Sequence, residues 1–131
     1  MGARSFRELH AWQLADELRR AIVAITTTPP ASLDRRFCDQ LRGAAASVSA
    51  NIAEGYGCYS SADFARFVTI AKASLAETQD RLRDGVDRGH IRSETAADLL
   101  KLAARCDRVL AALRVYLWRA AGKSLPDRSK P

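Results

Sequence analysis

Gln40-Leu41-Arg42-Gly43-Ala44-Ala45-Ala46-Ser47-Val48-Ser49-Ala50-Asn51-Ile52-Ala53-Glu54-Gly55-Tyr56-Gly57 is the run whose spacing decides the fold. With Phe37 ahead of it, Leu41, Ala44, Ala45, Val48 and Ile52 recur three and four apart, the period that lines one face of an α-helix. Gly55 and Gly57 are expected to end that helix in left-handed turn conformations. The helix is lined with small residues, Ala44, Ala45, Ala46, Ser47, Ser49, Ala50 and Ala53. Short side chains let a second helix approach closely, and alanine also has the highest helix propensity; both explanations stand at this point.

The same rhythm appears on either side. Ser5-Phe6-Arg7-Glu8 has the capping-box form, so a first helix is expected to start there. Leu9, Trp12, Ala15, Leu18, Ile22 and Ile25 give it an apolar stripe, and Thr26-Thr27-Thr28 before Pro29-Pro30 stops it, because a residue before proline is pushed out of the helical region. Ser60-Ser61-Ala62-Asp63 caps a third helix. Its row is Phe64, Phe67, Val68, Ala71, Leu75, Thr78, Leu82 and Val86, running to Gly89. Ser93-Glu94 opens a fourth, with Leu99, Leu102, Cys106, Val109, Leu113, Tyr116, Leu117 and Ala120 on its stripe before Gly122. No run alternates as a strand does, and the connections are short. An all-α, antiparallel up-down-up-down four-helix bundle over residues 1–122 is predicted, followed by a polar, proline-containing C-terminal tail over 123–131.

Composition agrees with one domain. A 131-residue chain buries about two thirds of the surface its unfolded form exposes. Hydrophobic residues are 47% and charged residues 27%, which excludes both a disordered polar tract and a membrane protein. The longest uncharged stretch, Gly43 to Ala53, is far short of the roughly 20 residues that span a bilayer. The first six residues carry no signal-peptide core, and Phe6 stands where a myristoylation signal has Ser or Thr, so a cytoplasmic location is expected. Cys38, Cys58 and Cys106 are odd in number and widely spaced, which fits reduced thiols rather than a disulfide or zinc framework.

Lys and Arg total 21 against 15 Asp and Glu, for a net charge of +6, and all but four of the cations are arginine. Such a surplus favours polyanions, since arginine forks match phosphate oxygens. At 100° per residue Lys101, Arg105, Arg108, Arg119 and Lys123 fall within about 60° of one another on the fourth helix. That row lies roughly 120° from the helix's apolar stripe and is the candidate nucleic-acid-binding surface. The competing reading is a solvated cationic face that keeps the protein soluble.

The residues from Gln40 to Gly57 resemble the signature of the four-helix-bundle proteins encoded in 23S rRNA intervening sequences, close to Q-L-R-R-A-x-x-S-[IV]-x-x-N-I-A-E-G-x-G. Phe6, Leu9, Trp12-Gln13 and Ala15 are similar to that family's N-terminal motif, and Phe64, Phe67, Ile70-Ala71 and Ser74-Leu75-x-Glu77 to its third-helix motif. The resemblance runs over residues 6 to 120. It implies a four-helix subunit assembled into a homopentamer, with nucleic acid, RNA or DNA, as partner and no established enzymatic activity. Accessory proteins of diversity-generating retroelements share this architecture and engage a reverse transcriptase and its RNA, which adds a reverse transcriptase to the candidate partners. Gly43 and Cys58 replace basic residues of the pattern, Ala73 a glycine and Ser49 a frequent proline. With two cations gone near one turn, that turn is a weakened candidate for phosphate contact.

Gln40, Arg42, Asn51, Glu54 and Gly55 form the motif cluster. Asn51 and Glu54 share a helix face. They either meet across a subunit interface or hold a partner's backbone, or else Asn51 bonds a neighbouring helix or loop while Glu54 pairs with Arg42 or Lys72. Catalytic machinery and cofactor sites find no candidates. His10 and His90 are too few for a di-iron bundle, and Gly55-Tyr56-Gly57 lacks the strand and third glycine of a nucleotide loop. Cys106 and Cys38 are read as core thiols, and Cys58 as a turn residue without an activating neighbour. Trp12 and Trp118, near helix ends, are candidates either for subunit contacts or for the core.

Overall fold

The computed structural model describes residues 4–122. They form four α-helices, α1 (His10–Thr26), α2 (Arg35–Tyr56), α3 (Ser61–Asp87) and α4 (Ser93–Ala120). Each packs against its neighbours in the chain, and α1 closes the ring against α4. Contacts between α2 and α3 run in opposite chain order: Phe37 meets the His90 ring at a tilt just past α3, Gln40 meets Arg81, Ser47 meets Ser74, and Gly55 lies against Phe64. That is an antiparallel pair, and the short connections carry the alternation through the bundle.

The rows of the sequence become the core. Phe37, Leu41, Ala44, Ala45, Val48 and Ile52 are all buried, as are Leu18, Ile22, Val68, Leu75, Leu82 and Leu110. Each fully buried leucine or isoleucine contributes about 1.5–3 kcal/mol relative to exposure. Trp12 and Trp118 are half-buried and pack against this core, Trp12 also meeting Phe6 edge-on at 5.3 Å.

The first helix begins later than the capping box predicts. Ser5 caps only a 3-10 turn, Phe6–Glu8, where its Oγ accepts from Arg7 N at 3.3 Å, and Glu8 reaches past Ser5 to accept from Arg4 N at 2.8 Å. Leu9 is extended (φ −71°, ψ 127°), and its side chain is buried in the core, so α1 starts at His10 with no side-chain cap. Asp34 and Ser60 do cap: Asp34 Oδ1 accepts from Phe37 N (3.2 Å) and Ser60 Oγ from Asp63 N (3.1 Å).

Two further expectations change. Gly55 is not in a left-handed turn. It is buried within α2, and a Cβ there would lie 2.7 Å from Phe64 Cδ1 and 2.8 Å from Phe67 Cβ, so glycine lets α3 come close. Gly57, with φ −76°, is not left-handed either; Gly89 takes φ +76° at the α3–α4 turn. Tyr116, counted with the apolar stripe, is instead 51% exposed. Adjacent helical residues are 100° apart, and Leu117 holds the core position, so Tyr116 turns outward. The tail expected from Lys123 to Pro131 lies outside the described residues.

Candidate nucleic-acid interface

α4 displays its cations because their sequence spacing keeps them off the core row. Lys101, Arg105, Arg108 and Arg119 are all exposed. None takes part in an ion pair among the described residues. Asp98, which flanks the first turn of the row, is exposed as well. Lys123 lies outside the described residues. Ala112 separates Arg108 from Tyr116, and Tyr116 stands three residues before Arg119, so the outer face carries an aromatic ring among its cations.

Elsewhere several cations are neutralised locally, although Arg7, Arg35, Arg36 and Arg83 are also exposed without an ion pair among the described residues. Asp16 takes both Arg19 (2.8 Å) and Arg20 (2.9 Å), Arg66 pairs with Asp63, and Arg88 pairs with Asp84 at 2.8 Å. Lys72 of α3 pairs with Asp107 of α4 at 2.6 Å. Arg114 departs from the outer row: with Lys72, Gln79 and Asp107 it lines a groove of about 350 Å³ between α3 and α4, and its Nε is buried without a hydrogen-bond partner among the described residues.

Most of the motif cluster is occupied with holding helices together. Arg42 Nε donates to Thr26 Oγ1 at 2.6 Å and its Nη2 to Thr27 Oγ1 at 3.3 Å, tying α2 to the end of α1. Gln40 Oε1 accepts from Arg81 at 3.0 Å. Asn51 Nδ2 donates to Ser47 O (2.7 Å) and Ser47 Oγ (3.0 Å), and the Ser47 hydroxyl shares a 2.8 Å hydrogen bond with Ser74 of α3. Among the described residues Asn51 bonds its own helix and reaches α3 through Ser47, a relay that sequence spacing does not reveal. Glu54 is exposed and pairs with neither Arg42 nor Lys72, since Arg42 is held by the two threonines and Lys72 by Asp107.

Reactive groups elsewhere are held in structural roles. Burial pushes the Cys106 thiol up to about 12 and also raises that of Cys38, whose Sγ lies 3.1 Å from Ala31 O. Cys58 Sγ lies 3.6 Å from Glu54 O in the α2–α3 turn. All three cysteines are free. His90 hydrogen-bonds Asp34 (Nε2 to Oδ2, 2.9 Å) and holds that carboxyl below its ordinary value, with the Phe37 N–H lowering it further. Among the described residues, no three or more His, Cys, Asp or Glu are placed to hold a metal ion, and no helix is long and apolar enough to cross a membrane.

The fold and its outer face define an all-helical bundle with a cationic, aromatic-bearing surface on its last helix. The chain belongs to the 23S rRNA-intervening sequence protein family, whose sequence profile matches residues 7–112. No curated protein matches it. The matched span includes the motif cluster and the first three cations of the α4 row; Tyr116 and Arg119 follow it.

Proposed function

We propose that this protein is a non-enzymatic, nucleic-acid-associated subunit that contacts RNA or DNA through the outer face of α4. The observation that carries this reading is the set Lys101, Arg105, Arg108 and Arg119, exposed on one face of a single helix and without an ion pair among the described residues, while acids neutralise many of the cations on α1 and α3. A row of free arginines releases counterions from a phosphate backbone, which makes binding strong at low salt and steeply salt-dependent. The family description, by naming a ribosomal RNA intervening sequence, agrees with RNA as the polymer. Free thiols agree with a reducing, cytoplasmic setting.

Self-association, to a pentamer, repeats the cationic face around one assembly and adds avidity for a single polymer. A reverse transcriptase is a candidate protein partner of the same assembly. The deciding experiment measures RNA and DNA affinity against salt for the wild type and for Arg105→Glu combined with Arg108→Glu. Loss of affinity and a slope reduced by about two are expected. Equal affinities, or no salt slope, would remove the interface and leave a structural assembly module without a nucleic-acid partner. Sedimentation equilibrium tests the oligomer; a monomer at all concentrations removes that part.

A further inference from the structure

We propose that Tyr116 is a base-stacking platform and that the α4 face accordingly selects single-stranded over double-stranded nucleic acid, an inference that rests on the α4 interface above. Tyr116 is 51% exposed, which leaves a large aromatic side chain open to solvent among the cations. Its neighbours one turn away on the same side, Ala112 and Ala120, are both exposed alanines, too short to cover the ring. Arg119 stands three residues further on, and Arg105 lies within about 20° of Tyr116 around the helix axis. At 1.5 Å per residue the ring is about 12 Å along the axis from Arg108 and about 4.5 Å from Arg119, so it interrupts the row of cations between phosphate-binding positions.

That order of groups has a chemical consequence. A cationic face alone binds a duplex and a single strand alike, because both present phosphates. In a duplex the base faces are stacked inside and closed to a side chain. An unpaired strand exposes them, and an aromatic ring set among phosphate-binding cations then adds stacking at each engaged base without regard to sequence. The ring converts a general polyanion surface into one that distinguishes unpaired strands.

The experiment compares a labelled oligonucleotide of about 15 nucleotides as a single strand and as its duplex, each in RNA and in DNA, read on whichever chemistry binds more tightly. Binding is measured for the wild type, Tyr116→Leu, Tyr116→Phe and the Arg105→Glu, Arg108→Glu double variant. Tyr116→Leu keeps apolar bulk and removes the π face. It should weaken single-strand affinity roughly tenfold and leave duplex affinity unchanged, with Tyr116→Phe close to wild type. Unchanged single-strand affinity in Tyr116→Leu, beside loss of all binding in the charge-reversed variant, overturns the platform and leaves the α4 interface standing. If neither variant changes binding, both fall. A shift in sedimentation of Tyr116→Leu with no change in affinity overturns the platform too, and marks the ring as a contact between copies.

Discussion

The α2–α3 seam and the outer face of α4 use polar side chains in opposite ways. At the seam, Gln40, Ser47 and Asn51 meet Arg81, Ser74 or one another at 2.7–3.0 Å, and Gly55 is bare so that Phe64 and Phe67 can press against the backbone. On α4, Lys101, Arg105, Arg108 and Arg119 are exposed and make no ion pair among the described residues. Of the motif cluster, Gln40, Arg42, Asn51 and Gly55 are taken up by architecture and Glu54 is left exposed. The α4 row carries no such task, and part of it lies beyond the matched residues.

If that division is right, changes at the seam cost stability, and changes on α4 cost binding. Leu41→Ala, at a position with no exposure, should show the largest effect, about 2–5 kcal/mol of unfolding free energy in a urea titration. A loss near zero would mean that the seam is not the core. Next is Gly55→Ala. The added methyl meets the Phe64 ring and Phe67 Cβ, neither of which can swing away, and overpacking of this kind costs about 1–3 kcal/mol. Gly85→Ala should cost about as much, because its methyl would lie 2.6 Å from Ile91 Cδ1 and 2.7 Å from Phe37 Cζ, both on buried side chains; a thermal midpoint unchanged from wild type would show that this turn gives way.

A smaller effect comes from the end of the bundle where Asp34 joins the α2 cap to His90. The Asp34 carboxyl is depressed below its ordinary 3.8, first by the His90 hydrogen bond and then by the Phe37 N–H. A depressed carboxyl stabilises the fold fully above its unfolded value, and the contribution fades as pH falls through the folded one. Stability of the wild type should therefore drop below about pH 4 more steeply than that of Asp34→Asn, as followed by helical circular dichroism. Parallel pH curves would show that the contact does not stabilise the fold. The smallest stability effect belongs to Arg105→Glu with Arg108→Glu, within about 0.5 kcal/mol of wild type, while nucleic-acid affinity falls. A large stability loss there would erase the distinction between the two regions.

Much of the fold was legible in the spacing of apolar residues. The rows predicted for α2 and α3 are buried over most of their length, because a three-and-four period admits one continuous face and the chain has one core to place it against. Less of the site was legible. The α4 cations group on one face by angle alone, but apolar spacing puts both Tyr116 and Leu117 on the stripe, and of these two adjacent residues Leu117 holds the core position. The residue types allow Glu54 to pair with Arg42 or Lys72, but spacing alone does not show whether those cations are free. Both cations were already held by groups on other helices.

The sequence by itself determined the helices, most of their breaks and the side of each that is apolar, because these follow from local dihedral preferences and a fixed angular period. Only the tertiary structure decided why Gly55 is glycine, how Asn51 reaches α3 through Ser47, and that Tyr116 stands outward among arginines. Those facts depend on the rotation and register of one helix against another, which are set by all the side chains in the interface at once.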